Sequence, residues 1–260
     1  MILSLSSAKL RDGNDGAYVR GTTFAQVSPI DGGTGANEID QEVILAWDFS
    51  RGLQRWGPGY VGRSPALDGQ PITELEWAEQ VGGEFGLRPM PEETGLEGSG
   101  FAIIEDNGNP FIARPVNSDL GVLAGQQYSV KYEMVVAVGP QSTNPDRDFI
   151  YVGALPTTPN IDSARTISDD KSQLYLVVDD VEYRLVSAGT GNHSVNPLTP
   201  PVFPSEFALV GRGNPDMLAS ATANKDGKLW LVVFLSGGGE LFSTNPSNIF
   251  RTIQVTLTPL

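Results

Sequence analysis

Along most of this chain apolar residues recur at every second position, the period of a strand with one face buried. Residues 127–138 show it most fully: Tyr128, Val130, Tyr132, Met134 and Val136 alternate with Ser129, Lys131 and Glu133. Residues 43–49, Val43-Ile44-Leu45-Ala46-Trp47-Asp48-Phe49, and residues 149–155 are denser apolar runs that also read as strands. The chain closes on another, residues 249–258, carrying Ile249, Ile253, Val255 and Leu257. Two β-branched runs, 174–178 and 181–186, flank Asp179-Asp180 and predict a two-residue hairpin. Residues 100–105 and 110–115 flank Asp106-Asn107-Gly108-Asn109, where Asn-Gly supplies the positive φ angles of a second tight hairpin. Residues 217–223 and 228–235 flank Asn224-Lys225-Asp226-Gly227, an Asp-Gly turn. Helical signals are weak: residues 73–80 have room for two turns, and Pro215 after Asn214 is placed to open a short one.

Many short strands, two long Pro-rich connections (139–148 and 192–205) and no solenoid repeat predict an all-β fold, an antiparallel sandwich. Residues 1–41 differ from the rest. Turn-forming clusters at 10–16 and 30–37 surround one short strand candidate, 22–27, so this part reads as an extended N-terminal arm. Residues 42–260 form the sandwich. The composition agrees: 30 Gly and 19 Pro in 260 residues disfavour long helices, while 40% hydrophobic residues suffice for a sizeable core.

The inventory removes much chemistry. With no cysteine there are no disulfides, thiolate nucleophiles or Cys-bound metals. The one histidine, His193, lies in a loop-like stretch, which removes sites needing two imidazoles. A net charge of −14 from 31 acids and 17 bases builds no basic stripe, so no nucleic acid partner is expected. Gly57-Pro58-Gly59-Tyr60-Val61-Gly62 spells Gly-x-Gly-x-x-Gly, but Arg63-Ser64-Pro65 follows instead of a helix, and the stretch reads as a turn-rich loop. The longest apolar run, 229–235, is too short to cross a bilayer, and residues 1–9 lack the features of a signal peptide. No membrane partner is expected. The acid pairs Glu92-Glu93, Asp169-Asp170 and Asp179-Asp180 read as solvated turn charge rather than paired catalytic carboxylates, and no enzymatic activity is expected.

The stretch Trp47-Asp48-Phe49-Ser50-Arg51-Gly52-Leu53-Gln54-Arg55-Trp56 resembles the opening of carbohydrate-binding-module-like jelly rolls, with an acidic-aromatic pair, then Gly-Leu and a Trp. Gly125-Gln126-Gln127-Tyr128 and Ile253-Gln254-Val255-Thr256-Leu257 are similar to a later strand start and to the closing strand of that family. The resemblance spans residues 42–260 and implies a jelly-roll β-sandwich. It also implies a structural calcium between an acid on the first strand, here Asp48, and an acid before the last. Phe250-Arg251-Thr252 supplies no such acid, so no cofactor is expected. Trp47, Trp56 and Trp230 read as core, whereas Tyr60, Trp77 and Tyr183 are the candidates for aromatic faces that stack on a glycan. Together these features point to a structural or interaction protein on a virion surface, such as a capsid decoration, head fibre or tail accessory protein. Its partners would be other virion proteins or copies of itself. The alternative expectation is a glycan-binding module, with a polysaccharide-degrading enzyme third.

Overall fold

The computed structural model describes residues 9–11, 18–20, 42–61, 84–89, 100–105, 110–138, 148–166, 172–190, 208–237 and 247–260. The residue runs 22–27 and 73–80, together with Trp77 and His193, lie outside the described residues. Two antiparallel sheets make up the fold. The first holds β1 (Lys9–Arg11), β2 (Tyr18–Arg20), β3 (Val43–Asp48), β5 (Glu84–Pro89), β6 (Gly100–Glu105), β8 (Gln127–Val138), β13 (Ala208–Gly213), β14 (Ala219–Thr222) and β16 (Ser247–Pro259). The second runs in the order β10 (Ser163–Thr166), β11 (Gln173–Val178), β12 (Val181–Thr190), β9 (Asp148–Leu155), β15 (Leu229–Gly237), β7 (Pro110–Val116) and β4 (Gly57–Tyr60).

Eight positions of this arrangement make a jelly roll. On one side β3, β16, β8 and the β13/β14 pair are neighbours; on the other, β7, β15, β9 and β12. Strand pairs nest inward along the chain, β3 with β16, β7 with β15, β8 with β13 and β14, then β9 with β12, the winding of two Greek keys. The additions are β4, β5 and β6 between β3 and β7, and β10 and β11 before β12. A short hairpin, β1–β2, extends the first sheet beyond β3, with Tyr18 opposite Ala46 and Val19 opposite Leu45.

Alternation decides which side chains enter which core. Val43, Leu45 and Trp47 of β3, the even-numbered residues 128–136 of β8, and Ile253, Val255 and Leu257 of β16 face Ile112, Val152, Val186 and Leu231 between the sheets. The intervening residues of the second sheet are buried too. Phe111, Ala113, Tyr151, Leu176, Leu185, Trp230, Val232 and Phe234 form a second apolar cluster on its other face. Burial on both faces explains why residues 229–235 read as an unbroken apolar run rather than an alternating one. Trp47, Trp56 and Trp230 are all buried.

Three expectations are corrected. The strands at 100–105 and 110–116 exist but do not form a hairpin, because β6 ladders onto β5 and β16 while β7 belongs to the other sheet. With Phe111 in one core and Ile112 in the other, β7 takes an interior place whose two edges are filled by β15 and β4. The Gly-Pro-Gly-Tyr stretch is strand β4, paired with β7, rather than a loop. Gly59 is required there, since a side chain would run into the Phe111 ring, 2.1 Å from where its Cβ would sit. Pro215 opens no helix: residues 215–217 are a bend between β13 and β14.

Candidate functional site

The outer edge of β8 is covered in two pieces. β13 pairs with residues 133–138 and β14 with residues 127–130, so the chain must leave the ladder between them. Asn214 fills the gap with its side chain. Its Oδ1 accepts from the Tyr132 N–H at 2.6 Å, and its Nδ2 donates to the carbonyls of Val130 and Met217, both at 3.1 Å. The carboxamide thus stands in for the peptide group that a continuous strand would place there. Gly213 makes the close approach possible, because a Cβ on it would lie 2.5 Å from the Tyr132 carbonyl oxygen.

A cleft of about 440 Å³ opens at this break, lined by Lys131, Glu133, Met134, Gly211, Arg212 and Pro215, with Tyr132, Ala188 and Gly213 completing it. Lys131 and Glu133 share the outward face of β8 and form an ion pair at 2.9 Å. Gln254, opposite Glu133 on β16, donates to the other carboxylate oxygen at 2.9 Å. Arg212 packs its stem against Gly189 of β12 and donates to the Gly211 carbonyl at 3.1 Å. Beneath the cleft Tyr132 crosses the sandwich: its hydroxyl donates to the Gly153 carbonyl at 2.7 Å and accepts from the Val232 N–H at 3.1 Å. Burial pushes the Tyr132 phenol far above its ordinary value, opposed only in part by the Val232 hydrogen bond.

A second polar centre lies where β16 changes partner. Its residues 247–250 pair with β6 and residues 252–257 with β3, and the ladder with β8 shifts register at this point. Arg251 sits at the fork. Its Nη1 donates to Asp48 Oδ1 at 2.7 Å and to the Gly100 carbonyl at 2.8 Å, tying the end of β3 to the start of β6. Asp48 Oδ1 also accepts from the Ser50 N–H at 3.0 Å, capping the short 3₁₀ turn Phe49–Arg51. The guanidinium of Arg251 therefore supplies a positive charge to Asp48, the residue for which the family resemblance implies calcium. Among the described residues, no three His, Cys, Asp or Glu side chains group to hold a metal ion.

Two of the aromatic candidates, Tyr60 and Tyr183, lie on different strands of the second sheet. Tyr60 ends β4, and Tyr183 lies in β12, with β7, β15 and β9 between them in the sheet. Tyr183 is half-buried at the rim of the second core. Partial burial raises its phenol pKa, helped by the negative charge of Asp179. Tyr183 does not line the cleft. Sequence reasoning missed the cleft residues because Lys131, Glu133 and Arg212 look like ordinary outward strand positions. The local signal was Gly211, Gly213 and Asn214-Pro215, a dense set of strand-breaking residues.

No family model matches this chain, and no curated protein matches it at a significant level.

Proposed function

We propose that the chain is a non-enzymatic structural and interaction protein, a virion-surface component that docks through its N-terminal arm and its sandwich. The observation that carries this reading is the β1–β2 hairpin laid along β3, the outermost strand of the jelly roll on that side. Strand addition of this kind is a general way for an arm to join one fold to another, since backbone hydrogen bonds supply the affinity. The test is to band particles from the source culture on a density gradient and identify their proteins by mass spectrometry. The proposal expects stoichiometric recovery of this chain with intact particles, lost when residues 1–41 are deleted. Absence from every particle band would overturn it.

A second reading, a glycan-binding module, is favoured by the cleft on the first sheet. Its volume suits a mono- or disaccharide, and its lining includes the charged residues Lys131, Glu133 and Arg212. The two readings are compatible, because a particle-surface protein can also hold a sugar.

A further inference from the structure

Two registered pairs hold the β1–β2 hairpin to β3, Tyr18 opposite Ala46 and Val19 opposite Leu45. Because β2 and β3 run antiparallel, this register sets Arg20 beside the start of β3 at Val43. A turn of about two to five residues would join two such neighbours within one chain. Instead 22 residues lie between Arg20 and Val43, among them Gly21, Gly32, Gly33 and Gly35. Fully extended, that length spans about 75 Å, while a body of this size is about 45 Å across. The connection is therefore long enough to lay the same hairpin on β3 of a neighbouring copy. It also gives up part of the entropic advantage that a tight turn would lend to pairing within one chain.

Charge favours a second copy as the occupant. The six residues of the two hairpin strands, Lys9–Arg11 and Tyr18–Arg20, include three cations and no acid. Residues 42–260 hold 26 acids against 14 bases. Two such bodies repel each other, and a cationic hairpin crossing between them places positive charge in the gap. Each copy gives one hairpin and receives one, so every β3 edge stays covered and no new kind of contact is needed.

Resting on the reading of residues 1–41 as a docking arm, we infer that the partner is a second copy of this chain, whose β3 edge receives the β1–β2 hairpin. The chain has no cysteine, so a disulfide placed at a registered pair reports the pairing directly. The Tyr18→Cys/Ala46→Cys double variant is oxidised and run on a non-reducing gel, and peptide mapping locates the bond. The inference expects covalent multimers in which the bond between positions 18 and 46 joins two chains. A bond formed within single chains would overturn it. Light scattering on the wild type decides the matter if the variant fails to fold or to oxidise. Its mass should be at least twice the 27.8 kDa of one chain and fall to a single copy when residues 1–41 are deleted. A mass that the deletion leaves at the same number of copies would overturn the exchange. A wild type that is a single chain yet still bands with particles would overturn this inference and leave the docking reading standing. A single chain absent from every particle band would overturn both.

Discussion

Two buried side chains do the work of backbone, and each makes a prediction. Asn214 satisfies three main-chain groups around the break between β13 and β14, so Asn214→Ala should lower stability by about 2–3 kcal/mol, the cost of leaving buried partners unbonded. Denaturant unfolding measures it, and Asn214→Asp should be no better, since a carboxylate cannot donate to the Val130 and Met217 carbonyls. Tyr132 joins the two sheets through one hydroxyl, and Tyr132→Phe should cost about 1–3 kcal/mol. The same hydroxyl sets an alkaline limit. Its folded pKa is raised, so its share of stability is intact below the unfolded tyrosine value near 10 and falls above it, by about 1.4 kcal/mol per pH unit. Melting temperatures recorded from pH 8 to 11.5 should drop less steeply for Tyr132→Phe than for the wild type. The alternation in residues 127–138 made the burial of Tyr132 legible in the sequence. Its hydroxyl partners were not, because Gly153 and Val232 come from strands whose register against β8 is fixed only by the packing of two sheets.

At the scale of strands, turns were easier to read than the partners they join. Asp179-Asp180 gave the β11–β12 hairpin directly, with both residues at positive φ, 50° and 62°. Asp180→Gly should therefore raise stability by about 1 kcal/mol by removing the steric cost of that conformation, measured as a shift in denaturation midpoint. Asn224-Lys225-Asp226-Gly227 also turns the chain, with Asn224 Oδ1 accepting from the N–H groups of Asp226 and Lys228, both at 2.9 Å. Yet it leads from β14 in one sheet to β15 in the other. A turn signal fixes a reversal; whether the next strand stays in its sheet depends on whether it buries one face or two. The fork on β16 is a case the sequence could not show, as Arg251 and Asp48 are 203 residues apart and meet only when β3 and β6 share an edge. With the Asp48 side chain 41% exposed and that of Arg251 18%, a double-mutant cycle of Asp48→Asn and Arg251→Met should return a coupling of about 1 kcal/mol, weakened by salt.

For the whole molecule, the second sheet has apolar contacts on both faces, whereas β3, β8 and β16 of the first sheet alternate buried core positions with more exposed ones. The all-β antiparallel class followed from pattern and turns; the second core did not, because a run such as 229–235 is equally consistent with one core or two. Among the described residues, the β1–β2 hairpin pairs with the body along β3. Deleting residues 1–41 should leave the cooperative transition of the remaining chain within a few degrees of the original, as followed by circular dichroism. The pairing of β3 with β16 has a mechanical consequence. Val43 lies opposite Leu257 and Asp48 opposite Thr252, so a tether pulled between Glu42 and Leu260 loads the ladder like a zipper, one rung at a time. In an optical trap β3 should peel away at low force from its Val43 end, pause where the Arg251 guanidinium grips Asp48, and leave the doubly packed second sheet to yield last.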